Sequence, residues 1–241
     1  MTSLELMGVS VDAPRSVVRD LTVTLGTRDN EVRLAVLLGP ADFDGAPLAR
    51  ILVGTAACAE GRITLAGQDV TAQPPGRRDI ALVPAGGGML PHLTIRENIS
   101  YGVRLRGSGR VTRHDEDLLD DLAKGLGIAE DLDRRPADCA VEESLRAGLA
   151  RALMRLPSVV VIDATGRNAE ADVMAESGDA EPAACRLAGY VLDRWPHTGV
   201  LVLTGDEAVA AWARGRAGRV VRMDGTGQCL VDADPTGKGA G

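Results

Sequence analysis

Short runs of Val, Ile and Leu punctuate the chain at Val32–Leu38, Ile80–Val83, Val159–Ile162 and Val200–Leu203, with a weaker one at Val220–Met223. Continuous apolar runs of this length suit strands buried on both faces, the pattern of a mostly parallel sheet. Helical spacing falls between them. Ala46–Val53 reads as one helix, and Leu145–Arg155 places Leu145, Leu149, Ala152 and Leu153 at i, i+4, i+7 and i+8. Val209–Arg216 reads as a shorter helix. Alternation of strand and helix predicts an α/β layered fold. Residues 92–150 break the alternation, being charged, helix-prone and poor in strand signal. Within them, 115–128 predicts an amphipathic helix ending near Gly125 or Gly127, so 92–150 reads as an inserted helical subdomain. Residues 4–38 and 61–71 predict strands of an antiparallel edge layer; GRITLAGQDV alternates with period two before a glycine turn. The expected organisation is one domain over 1–234 and a flexible tail over 235–241.

Composition narrows the function classes. At 241 residues the chain can bury a sizeable core, and 45% hydrophobic with 25% charged residues fits a water-exposed globular domain. The aromatics are Phe43, Tyr101, Tyr190, Trp195 and Trp212, so the core is aliphatic and stacking platforms for bases are scarce. With a net charge of −7, nucleic acid is not the expected partner. Cys58, Cys139, Cys185 and Cys229 lie far apart with no C-x-x-C spacing, which predicts free thiols in a reducing compartment. No apolar run approaches the roughly 18 residues of a membrane span, and no signal-peptide pattern opens the chain. The expectation is a cytoplasmic protein without direct membrane insertion, peripheral at the inner face of the cell membrane through a partner.

The most informative stretch is LLGPADFDGAPLARILVG, from Leu37 to Gly54. A working phosphate loop has the form G-x-x-x-x-G-K-[ST]. Its backbone N–H groups wrap the phosphates, its lysine reaches the β and γ oxygens, and its hydroxyl holds Mg²⁺. Here Gly39 keeps the first glycine, with Pro40, Ala41, Asp42 and Phe43 following. Asp44 stands at the second glycine, Gly45 at the lysine and Ala46 at the hydroxyl, and Pro47 comes next. At ~4 Å and an effective dielectric near 20, each unit of charge is worth about 4 kcal/mol, so losing a lysine and gaining two aspartates opposes a triphosphate. Helix N-termini attract anions. Asp44 is therefore expected to act as N-cap, its carboxylate taking the place of a phosphate, with Pro47 tolerated in the first turn. Drift in a loop without a role is the other reading.

From about residue 4 to 234 the chain resembles the ATP-binding subunit of ABC transporters, nearest to the importer type. The likeness rests on LAGQDVTAQPPGRRDIALVPAGGGMLPHLTIRENISYGVRLRG (65–107), GLARALMRLPSVVVID (148–163) and LVLTGD (201–206). It implies a P-loop NTPase-like core with a mostly parallel sheet, an antiparallel edge layer and the helical insertion. It also implies which chemical positions have changed. Ala13 matches the aromatic that stacks on adenine, and Ala85 the glutamine that senses Mg²⁺ and the transporter. Cys139, Ala140, Val141, Glu142 and Glu143 match the LSGGQ signature that caps the γ-phosphate across a dimer. Asp163 keeps the Mg²⁺-linked carboxylate, Ala164 replaces the catalytic glutamate and Gly205 the switch histidine. In GRNAE (166–170), only Asn168 stays in place. No catalytic residue is assigned, and Asp163 is expected to be a buried carboxylate at a strand end, a metal ligand only if Mg²⁺ binds.

The resemblance implies Mg-ATP as cofactor if the family activity survives; with these replacements none is expected. The leading expectation is a pseudo-ATPase that acts by binding a permease through residues 85–107, or a homologous ATP-binding subunit. In a pair with a normal subunit both composite sites would be damaged, which weakens the second partner. The alternatives are a free-standing scaffold or regulator, and an active transport ATPase using atypical residues. His92 and Arg77–Asp79 are expected to be structural, and the Gly86–Gly88 run a flexible connector.

Overall fold

The computed structural model describes residues 3–26, 32–105, 110–165 and 181–231. Expectations for 166–170, including Asn168, and for the tail 235–241 lie outside them. The chain opens with β1 (Ser3–Ala13) and β2 (Ser16–Gly26), paired antiparallel with irregular register around Gly8. The alternation in β2 follows its environment: Val18, Leu21, Val23 and Leu25 are buried while the residues between them face outward. After β3 (Leu34–Leu38) and α1 (Ala46–Val53), β4 (Glu60–Leu65) and β5 (Gln68–Asp69) complete an antiparallel sheet of order β2-β1-β4-β5.

A six-stranded sheet has the order β10-β9-β3-β8-β7-β6, with β6 at Ile80–Val83, β7 at Val159–Ala164, β8 at Gly199–Thr204, β9 at Arg219–Met223 and β10 at Cys229–Val231. Its neighbours are parallel except β10, which runs antiparallel to β9. β3 lies between β9 and β8, so the antiparallel layer expected over 4–38 ends at Gly26. Burial explains the difference. All five residues of β3 are buried, and an edge layer with one wet face has no place for such a run.

β3 also divides the core. Leu34, Val36 and Leu38 join the cluster that contains the later helices. Ala35 and Leu37 join the cluster shared with α1 and the antiparallel sheet. Between β6 and β7 the chain forms α2 (Ile95–Arg104), α3 (Arg113–Gly125) and α4 (Val141–Leu153). Thr94 and Thr112 open the first two with capping boxes closed by Glu97 and Asp115. Asn98 is fully buried and ties the approach to α2, accepting from Leu90 N–H at 2.7 Å and donating to the carbonyls of Leu90, Leu93 and Thr94. A helix absent from the sequence reading, α5 (Ala183–Arg194), precedes β8, and α6 (Glu207–Gly215) follows it. Among the described residues no helix is long and apolar enough to cross a membrane.

Candidate functional site

The loop between β3 and α1 is tied down on every side. At its start the Gly39 N–H donates to the carbonyl of Thr204, the last residue of β8, at 2.9 Å. A turn follows in which the Phe43 N–H donates to Pro40 O at 2.9 Å. The Phe43 ring folds back beneath the loop and is 4% exposed. A Cβ on Gly39 would meet its Cγ at 2.5 Å, so the first glycine of the motif here makes room for an aromatic ring. The Asp44 N–H donates to Arg15 O at 2.8 Å, joining the loop to the β1–β2 turn.

The start of α1 departs from expectation in one respect. Gly45, not Asp44, is the N-cap, because its carbonyl accepts the first intrahelical bond, from the Ala49 N–H at 2.9 Å. Asp44, one residue earlier, still brings its carboxylate to the helix end: Oδ1 accepts the Ala46 N–H at 3.0 Å. Pro47 sits in the first turn, where its missing N–H leaves no donor to satisfy. The Gly45 N–H donates to Thr165 Oγ1 at 2.8 Å.

Thr165 links the loop to the strand end that carries Asp163. Its hydroxyl donates to Asp163 Oδ1 at 2.5 Å, and its N–H donates to the same oxygen at 3.1 Å. Asp163 is 3% exposed. Burial pushes its carboxyl above the usual range and the Asp44 charge adds to this, against the two bonds from Thr165. A Cβ on Gly45 would stand 3.0 Å from Asp163 Oδ1 and 3.1 Å from the Leu203 side chain. The place where a phosphate-loop lysine would begin is therefore tight, and a side chain there needs its neighbours to give by a few tenths of an ångström. Gly205 is tighter, since a Cβ there would lie 2.8 Å from the backbone oxygen of Pro40.

A cleft of about 570 Å³ opens above this floor, with Asp42, Asp44 and Asp163 and a single guanidinium, Arg15, on its walls. Ala41, Phe43, Ala46 and Ala85 supply apolar lining. Among the described residues no group of three or more His, Cys, Asp or Glu side chains is arranged to hold a metal ion. The residues present do not fit a Mg²⁺-triphosphate. The loop donors at Gly45 and Ala46 are already bonded within the protein, among the described residues Arg15 is the one cationic side chain lining the cleft and none stands at the lysine's position, and the carboxylates repel phosphate.

The residues matched to the signature lie apart from this cleft, at the start of α4. Glu143 Oε2 accepts the Ala140 N–H at 2.8 Å and the Arg134 guanidinium at 3.4 Å. Glu142 Oε1 pairs with Arg146 at 2.5 Å and with Arg186 at 3.0 Å. Cys139 points its thiol at Arg135 O, and burial raises its pKa. Val141 packs against the helical core. The N-terminus of α4 thus carries its own anions. Ala164 closes β7 half-buried, and Ala13 does not line the cleft.

Sequence reasoning missed Arg15 and Thr165. Arg15 has φ of +61° in the β1–β2 turn. Thr165 had a usable signal, a hydroxyl two residues beyond a strand-end carboxylate, which is the spacing of a local side-chain bond. A second concavity of about 330 Å³ lies between the α1–β6 side and the α2–α4 side, lined by Val53, Leu82, Leu90, Tyr101, Arg151 and Arg155 among others. Arg151 holds its edge, donating to the carbonyls of Gly88 at 2.8 Å and Gly87 at 3.0 Å.

The family model for ABC transporters matches residues 34–165, more than half of the chain. The chain belongs to the ABC transporter family. It is 36% identical over 165 residues to a spermidine/putrescine import ATP-binding protein, PotA, of Frankia alni, covering 67% of this chain and 34% of that protein. It is 32% identical over 173 residues to a sn-glycerol-3-phosphate import ATP-binding protein, UgpC 2, of Rhizobium johnstonii, covering 71% and 48%. A molybdate/tungstate import ATP-binding protein, WtpC, of Pyrococcus abyssi is 32% identical over 161 residues, covering 66% and 45%. The chain thus spans less than half the length of these relatives. In fold it matches a nucleotide-free ATP-binding cassette of an ABC transporter with a TM-score of 0.71 at 14% identity, over 95% of this chain and 90% of that one. The structure of cbiO1 from Clostridium perfringens, part of the complex cbiONQ, matches with a TM-score of 0.70 at 16% identity, over 97% and 88%. These ABC-family members establish the α/β architecture with its mostly parallel and antiparallel sheets as an ATP-binding-cassette fold.

Proposed function

We propose that this ABC-family chain is a pseudo-ATPase subunit that binds an integral-membrane permease and does not use Mg-ATP. One observation carries the reading: backbone donors at the start of α1 are spent on Thr165 and Asp44, where a working loop would offer them to phosphate. Gly39 and Gly45 are packed against Phe43, Asp163 and Leu203, which supports a loop that is stable without nucleotide. The groove lined by Leu90, Tyr101 and Arg155, within and beside the 85–107 segment, is the surface offered to the permease. The protein would then sit at the inner face of the cell membrane, held there by that partner. A homologous ATP-binding subunit is a poorer partner, since carboxylates stand both in the cleft and at the start of α4.

Isothermal titration of the purified protein with Mg-ATP tests the reading, with thermal shift alongside. No heat and no shift at millimolar ATP is the expected result. A dissociation constant in the micromolar range with a raised melting temperature would overturn it in favour of an active transport ATPase.

A further inference from the structure

The groove beside β6 contains an open sheet edge. β6 ends the six-stranded sheet, and among the described residues its one strand neighbour is β7, in parallel register. The Asp79 carbonyl accepts the N–H groups of Ser158 and Val159, so it faces β7. Backbone polar groups alternate sides along a strand, which turns those of Ile80 and Leu82 away from β7. The Ile80 N–H bends back to Arg78 O. Among the described residues the Ile80 carbonyl and both polar groups of Leu82 have no hydrogen-bond partner. Ile80, Ala81 and Leu82 line the groove, so this edge looks into it. Such an edge is a template for another strand. The charge of the groove is one-sided as well: Arg151 and Arg155 stand on its walls and no carboxylate does. Arg151 donates to the Gly87 and Gly88 carbonyls, and neither guanidinium pairs with a carboxylate among the described residues.

We propose that the permease segment received here is extended and adds a strand to the free edge of β6, with apolar and acidic residues alternating along it. This rests on the groove being the permease surface, as proposed above. Alternate side chains of an added strand point to opposite faces of the sheet. One face is the α1 side, where Val53 lines the groove. The other is the α4 side, where Arg151 and Arg155 have no carboxylate partner and Tyr101 is half-exposed. Apolar residues suit the first face and acidic residues the second. A docked helix would leave the Leu82 N–H and carbonyl without partners, since its own backbone bonds are internal. The four residues of β6 limit the addition to a short strand.

The probe is a synthetic hexapeptide of alternating valine and glutamate, blocked at both ends and titrated into the whole protein at neutral pH. Amide NMR and hydrogen exchange are the readouts. Saturable binding with a dissociation constant of ~1 mM is expected, and exchange of the Leu82 N–H should slow about fivefold at ~5 mM peptide. Methylating one alternate set of the peptide's nitrogens should weaken binding about tenfold, and methylating the other set should leave it unchanged. Arg155→Gln should weaken it about threefold, with a thermal melt to show that the variant is folded, and a valine–lysine peptide should bind more weakly still. No binding at ~10 mM overturns the inference, as does binding that ignores methylation or leaves Leu82 exchange untouched. A helical alanine–glutamate peptide that binds more tightly overturns it in favour of a docked helix. Mg-ATP titrated alone reports on the pseudo-ATPase reading: binding there overturns that reading, whereas the methylation pattern decides strand addition.

Discussion

At the scale of single residues, two buried charges show opposite solutions. Arg78 is 3% exposed, yet every contact is matched: Nε donates to Gln73 O, Nη1 to Ile51 O and Leu52 O, and Nη2 to Thr71 O. Its planar fork closes the C-terminal end of α1, where carbonyls lack partners. Arg78→Lys keeps the charge and loses the fork, so it is expected to cost about 2 kcal/mol or more in urea unfolding, and Arg78→Ala about 3 kcal/mol. Equal stability of the lysine variant would show that charge alone matters there. Asp163 is matched in part, by the two bonds that Thr165 gives its Oδ1. Its folded pKa is raised, so the native state holds the proton more tightly than the unfolded chain does. Stability from this group is full below the unfolded value of about 3.9 and is lost as pH rises through the folded one. Asp163→Asn should therefore be more stable than the parent at neutral pH and show a flatter stability profile above about pH 4. Urea unfolding across that range checks the sign; a variant less stable at pH 7 contradicts it.

At the scale of elements, the Gly86–Gly88 run, expected to be a flexible connector, is a packed joint, because Gly87 is buried against α4. Gly87 is buried with φ of +78°, and a Cβ there would run into the Ser144 backbone of α4; across the contact a Cβ on Gly148 would lie 2.8 Å from Gly87 O. Gly86 has φ of +67° with open space around it. Gly86→Ala should cost about 1 kcal/mol from backbone strain alone, and Gly87→Ala clearly more, about 2 kcal/mol or above, read from melting curves. Equal costs would remove the packing argument. Elements with strong periodicity were legible in the sequence: α1 has the bounds read from its pattern, and α4 begins four residues before Leu145 because its first turn is polar. α5 escaped notice because alanines and a glycine fill much of its buried face, which lowers the apolar contrast, although Ala184, Leu187, Ala188 and Val191 keep helical spacing. In the site, the altered loop was legible as residue types. That the Phe43 ring closes it from beneath, and that Thr165 reaches Gly45 across 120 positions, are tertiary facts that no local pattern carries.

At the scale of the whole molecule, the central strand binds two cores into one cooperative unit. Val36 and Leu37 are adjacent in sequence and fully buried, but they serve opposite faces of the six-stranded sheet. Truncating either should destabilise both faces together: Leu37→Ala by about 2–5 kcal/mol, with Val36→Ala toward the lower end. Each variant is expected to melt in a single calorimetric transition at lower temperature. Two separated transitions would show that the faces unfold independently.

The tight space at Gly45 limits what a single substitution can do to the loop. The Cβ of a lysine placed there alone would stand 3.0 Å from Asp163 Oδ1 and 3.1 Å from the Leu203 side chain, so both must give by a few tenths of an ångström, while Thr165 holds the same residue's N–H. A phosphate-loop lysine at this position therefore calls for accommodating changes at its neighbours as well, so the loop answers to substitutions as a set.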